Sequence, residues 1–73
     1  MQTLDARGKS CPMPIVMISK AMKKLALGGR LLVLASDRAF PEDVKAWCNK
    51  TGNDLSSLAE RDGHFEAEIH RAR

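Results

Sequence analysis

Ser10-Cys11-Pro12-Met13-Pro14-Ile15-Val16 marks the point where a loop turns into a helix, and the elements on either side take their places from it. Proline at a first helical position gives up an N–H that would lack a partner anyway, and its fixed φ suits the helix, so Cys11-Pro12 reads as the boundary. Cys11 is then the cap residue or its neighbour. Unpaired backbone N–H groups and the positive end of the helix dipole lie close to its sulfur and favour the thiolate over the thiol. An ordinary thiol, with a pKa of about 8.5, is roughly one-tenth ionised near pH 7.5. A helix end lowers that value by about 0.2–1.5 units, and Arg7 and Lys9 just upstream add to the effect. The expectation is a nucleophilic sulfur, about half ionised at neutral pH. The plain alternative is an idle cysteine that happens to precede proline.

Before this stretch, Leu4 and Ala6 fall on one side of an extended segment and Thr3 and Asp5 on the other, which predicts a first strand over residues 2–6. Gly8-Lys9-Ser10 invites a phosphate-loop reading. That motif needs a glycine five residues earlier, where this chain has Thr3, so the nucleotide-loop reading fails. After the stretch, Ile15, Ile18, Met22 and Leu25 recur at helical spacing, with Ser19, Lys20, Lys23 and Lys24 at other angles. A helix from Pro12 to about Leu27 follows, stopped by Gly28-Gly29. Its lysines read as a solvated face, with a docking surface for an acidic partner as the alternative. Met13 and Met17 read as a packing stripe, except that Met13, between the prolines, is placed to lie exposed beside Cys11.

Leu31 to Ala35 is an unbroken apolar run and predicts an inner strand. Pro41-Glu42-Asp43 opens a second helix, in which Val44, Trp47, Cys48 and Thr51 share a face, with Phe40 just outside as a staple. Cys48 is thereby assigned to the core. Gly52-Asn53 ends that helix. Leu55 and Leu58 have opposite parity in the strand that follows, which predicts a bulge near Ser56-Ser57. Asp62-Gly63 signals a hairpin, and Phe65, Ala67 and Ile69 alternate with His64, Glu66, Glu68 and His70. Both histidines fall on the polar face, where solvated surface is favoured over a metal site. The order βαβαββ gives an α/β (α+β) two-layer sandwich, a four-stranded mixed sheet with two helices on one face.

Seventy-three residues make a single domain over residues 1–73, too small to enclose a deep pocket, so any chemistry belongs at the surface. With 44% hydrophobic and 29% charged residues the composition is that of an ordinary globular chain. No apolar run reaches the length of a membrane span, and residues 1–25 lack the order of a secretory signal, so a cytoplasmic protein without membrane contact is expected. Cys11 and Cys48 form neither a Cys-x-x-Cys pair nor half of a zinc site, and both are expected as thiols. The net charge of +3 suits acidic partners. There is no tyrosine, and both phenylalanines are assigned to packing, which argues against direct nucleic-acid binding.

Leu4-Asp5-Ala6-Arg7-Gly8, Cys11-Pro12-Met13-Pro14, Gly28-Gly29 before an apolar strand, Ser36-Asp37, Trp47-Cys48, Gly52 and Asp62-Gly63 together resemble the TusA/SirA-like small sulfur-carrier family, the tRNA 2-thiouridine synthesis protein A type. The resemblance spans almost the whole chain, and its most specific part is Cys-Pro-x-Pro preceded by Leu-Asp-x-x-Gly. The family often has glutamate where this chain has Met13. The resemblance implies the same sandwich and a sulfur carrier that holds sulfane sulfur as a persulfide on Cys11, with no cofactor and no metal. It implies a donor protein, a cysteine desulfurase or rhodanese-like protein, and an acceptor protein in a sulfur relay such as tRNA thiolation. Such a chain works within a sulfurtransferase relay rather than as a stand-alone turnover enzyme. Pro12 and Pro14 would hold the sulfur, Arg7 and Lys9 orient it, and Met13 contact whatever approaches. The competing reading is a non-catalytic regulatory module that binds protein or nucleic acid.

Overall fold

In the computed structural model, which describes residues 1–73, the chain runs β1 (Gln2–Ala6), α1 (Met13–Lys23), β2 (Arg30–Ala35), α2 (Phe40–Thr51), β3 (Asp54–Arg61), β4 (His64–His70). The strands form one sheet in the order β1-β2-β4-β3, with β2 parallel to β1 and antiparallel to β4. The expected mixed sheet and βαβαββ order are both present. Because side chains alternate across a strand, one face of β2 and β4 presents Leu31, Val33, Ala35, Ala67 and Ile69. Against it pack Ile18 and Met22 of α1 and Phe40, Val44 and Cys48 of α2, making a single core. Trp47 closes its edge, its indole Nε1–H donating to Ser19 Oγ at 3.2 Å and tying one helix to the other.

The inner-strand reading of the Leu31–Ala35 run holds, since β2 is paired on both sides. Its other two leucines, Leu32 and Leu34, lie half-buried on the face no helix covers, opposite Glu68 and Glu66. The parity conflict of Leu55 and Leu58 is resolved as expected, by a register shift between Leu55 and Ser57. The extra residue returns Leu58 to the core side, so that both leucines pack against the core. Asp62 and Gly63 have φ of 54° and 81°, the pair of positive angles that a two-residue type I′ hairpin needs.

Helix α1 begins at Met13, with Pro12 as its cap rather than its first residue, and two further boundaries differ from the sequence reading. Helix α1 ends at Lys23, not near Leu27. The amides of Lys24 and Leu25 donate three residues back, to Ala21 and Met22 at 3.1 and 3.2 Å, which tightens and ends the last turn. Beyond it, Gly28 N–H donates to Arg71 O at 2.8 Å, Arg71 N–H to Gly29 O at 2.9 Å, and the Arg71 guanidinium reaches the Leu25 carbonyl. A distant segment thus satisfies the groups that local sequence assigned to more helix. At the second boundary Phe40 is not a staple outside α2 but its first residue, fully buried, with Ala39 as the cap.

With so few residues in the core, truncating one large member is severe. Phe40→Ala is expected to cost about 3–5 kcal/mol, while Leu27→Ala should stay within about 0.5 kcal/mol. Leu27 is 70% exposed, so urea unfolding of the two variants separates core from surface directly.

Candidate functional site

The segment from Arg7 to Pro12 joins the end of β1 to the start of α1, and each of its turns has a local cause. Lys9 N–H donates to Ala6 O at 3.2 Å, closing a turn in which Gly8 sits at φ 80°, where a side chain would be strained. Met13 N–H donates to Ser10 O at 2.9 Å and closes a second turn around Cys11 and Pro12, whose shared peptide bond is cis. Val16 N–H then donates to Pro12 O at 3.1 Å, the first helical bond. Pro12 is therefore the capping residue, and Pro14 occupies the first helical turn. Cys11 lies one residue outside the helix rather than on it.

Two side chains from the far end of β2 fix this loop. Gly8 N–H donates to Ser36 Oγ at 2.9 Å, and Cys11 N–H donates to the Asp37 carboxylate, Oδ2, at 3.0 Å. Parallel pairing of β1 with β2, with Ala6 opposite Ala35, brings Ser36-Asp37 under the loop. No local pattern assigns that dipeptide a contact with Cys11; the physical signal is its place immediately after an inner strand.

The structure exposes Cys11 and buries Cys48, both as free thiols, as expected. Burial, with the negative charge of Asp54, pushes the Cys48 thiol up to about 11, which makes it a packing residue. Around Cys11 the first turns of α1 present Met13 and Val16 at 45% and 38% exposure, an apolar rim, while Pro14 turns into the protein. Met13 is thus no part of the core, whereas Met17 is half-buried against the edge of β1.

The electrostatics correct the sequence reading. The Cys11 thiol is raised above its ordinary value, not lowered: Asp43 accepts its hydrogen bond, partial desolvation disfavours the anion, and the charges of Asp43 and Asp37 add to both. Of the basic residues expected to oppose this, Arg7 is turned elsewhere. Arg7 grips Asp5 through Nε at 2.9 Å and Nη2 at 3.0 Å, holding that carboxyl down at about 2, and Lys9 forms no ion pair. Sequence reading missed Asp43 because it placed that residue only as a first-turn acid of α2. Its closeness to Cys11 arises where the starts of the two helices meet. On the open sheet face His64 and His70 pair with Glu66 and Glu68 at 3.0 and 2.7 Å, remote from the loop motif in sequence and bonded to their own strand neighbours.

A two-layer sandwich with one loop-borne surface thiol at the mouth of a proline-bracketed helix defines a class of small thiol proteins. The chain belongs to the sulfurtransferase TusA family, whose model matches residues 2–71. It is 39% identical over 62 residues to the sulfur carrier protein TusA of Pseudomonas putida, covering 85% of this chain and 78% of the relative. A Neisseria meningitidis protein that bears a sulfur-carrier name is 42% identical over 64 residues, 88% of this chain and 86% of that one. An Aquifex aeolicus protein that also bears a sulfur-carrier name is 39% identical over 71 residues, 97% of this chain, but the chain spans only 36% of that protein's length. The crystal structure of a SirA-like protein from Desulfitobacterium hafniense superposes with a TM-score of 0.88 at 28% identity, over 100% of both chains. These relatives support a sulfur-carrier role. No helix is long and apolar enough to cross a membrane.

Removing the charge beside the sulfur tests its electrostatics. Asp43→Asn should shift the pH midpoint of Cys11 alkylation by iodoacetamide downward and speed alkylation at pH 7.5 by about two- to tenfold. Arg7→Ala should leave the midpoint where it is.

Proposed function

We propose that Cys11 carries sulfane sulfur as a persulfide, taking it from a donor protein and passing it to an acceptor protein. The observation that carries this reading is the exposed Cys11 held by its backbone amide on Asp37, with Met13 and Val16 beside it as an apolar contact rim. A sulfur atom that must be offered to two different proteins in turn has to stand outside the core and be held by its backbone, leaving the side chain free to react.

In the loading step the Cys11 thiolate attacks the terminal sulfur of a persulfide on a cysteine desulfurase or rhodanese-like donor. A new S–S bond forms to Cys11, the donor's own S–S bond breaks, and the donor cysteine leaves as a thiolate, so no outside oxidant or reductant is consumed. In the unloading step an acceptor thiolate attacks the outer sulfur and Cys11 departs as the thiolate. The proton that Cys11 gives up on ionising is balanced by the departing donor thiolate, which takes one up from solvent as it leaves. Asp43 and Asp37 keep the resting sulfur protonated, which slows its reaction with chance electrophiles between transfers. Pro12 and Pro14 limit the motion of the chain on the helix side of the sulfur. Met13 is a contact of this surface, while Arg7 and Lys9 serve the loop rather than the thiol. The acceptor belongs to a sulfur relay, such as one serving tRNA thiolation or sulfur metabolism, and the transfer fits a cytoplasmic setting in which thiols stay reduced.

Incubation with a cysteine desulfurase and cysteine, followed by intact mass measurement, should show a gain of about 32 Da that a reductant removes. Cys11→Ser should abolish the gain and Cys48→Ala should retain it. Failure of the native chain to gain sulfur from either a desulfurase or a rhodanese-like donor would reject the carrier reading in favour of a binding module.

A further inference from the structure

The two edges of the sheet are built differently. At the β3 edge the register shift between Leu55 and Ser57 interrupts the strand, a device that hinders pairing with another chain. At the other edge β1 runs in unbroken register with β2 from Gln2 to Ala6, and nothing pairs with its outer side. The edge contains neither proline nor bulge.

Alongside this open edge runs a groove of about 390 Å³ between β1 and α1. Leu4 and Leu31 of the sheet and Met17 and Ala21 of the helix supply its apolar lining. Lys20 and Lys24, one helical turn apart, also line it, and no acidic side chain does. Neither lysine takes part in an ion pair; they share this with most of the chain's cations, but these two line the groove together. The groove therefore combines backbone groups free to form a ladder, an apolar trough and two unneutralised cations.

We propose that the β1 edge and this groove bind an extended acidic segment of a partner protein, which adds to the sheet as a fifth strand. Its backbone pairs with β1, alternate apolar side chains enter the trough over Leu4 and Met17, and its carboxylates meet Lys20 and Lys24. A segment of about five residues covers the edge at roughly 3.3 Å per residue. Lys20 and Lys24 lie roughly 10–17 Å along the helix from Met13, so the segment docks beside the sulfur-bearing end without covering it. The site is separate from the chemistry of Cys11 and does not rest on it.

The probe is a synthetic peptide of about eight residues alternating valine with glutamate, titrated into the isotope-labelled full chain to about 5 mM, weak millimolar binding being sufficient for detection. Amide resonances of Gln2 to Asp5 and of Lys20 and Lys24 should shift together, and the β1 amides should exchange more slowly with solvent. The Lys20→Glu, Lys24→Glu double variant should weaken binding at least about tenfold, with Lys20→Gln, Lys24→Gln in between. Cys11→Ser should bind as the native chain does. Absence of shifts in β1, equal binding of the valine–lysine counterpart, or shifts confined to the lysines without slowed β1 exchange would each overturn the proposal.

Discussion

Because both helices pack on the same face of the sheet, Ile18, Met22, Phe40, Val44 and Cys48 share one apolar layer with Leu31, Val33, Ala67 and Ile69, and every other feature of the molecule is arranged around that layer. A chain of this size can fill only one such layer. The helix starts must therefore come to the surface at its rim, close to each other. That proximity puts Asp43 of α2 beside the cysteine that precedes α1. It also explains why the opposite sheet face is served by polar pairs such as His70 with Glu68 rather than by a second core.

The sulfur site shows two neighbouring effects competing, and magnitude decides between them. A helix start stabilises an anion by a fraction of a kcal/mol to about 2 in favourable geometry, and the benefit falls off within the first turn. Cys11 stands one residue beyond that turn, since Pro12 is the cap. Two carboxylates lie closer, and they win: the thiol is raised. The outcome suits an exposed thiol that must persist between uses, because the protonated form reacts slowly.

Much of this was legible beforehand for definite reasons. The Cys-Pro-x-Pro element located the loop-to-helix transition because proline's fixed φ and missing N–H act locally. The bulge was legible because Leu55 and Leu58 cannot share a face in a regular strand, and Asp62-Gly63 because few dipeptides accept two positive φ angles. The end of α1 was not legible, since the Leu25 carbonyl just past it and the glycines that follow are met by Arg71, a residue far along the chain.

The sequence by itself determined the order of the elements, the inner strand, the hairpin and the exposure of Cys11 against the burial of Cys48, because periodicity and turn chemistry depend on near neighbours. Only the tertiary structure decided what surrounds the sulfur. Asp37 and Asp43 reach Cys11 through the parallel pairing of β1 with β2 and the meeting of two helix starts. Arg7, four residues from Cys11, turns instead to Asp5. Electrostatics depends on distance in space, and a strand crossover brings residues together across lengths of chain that no local pattern spans.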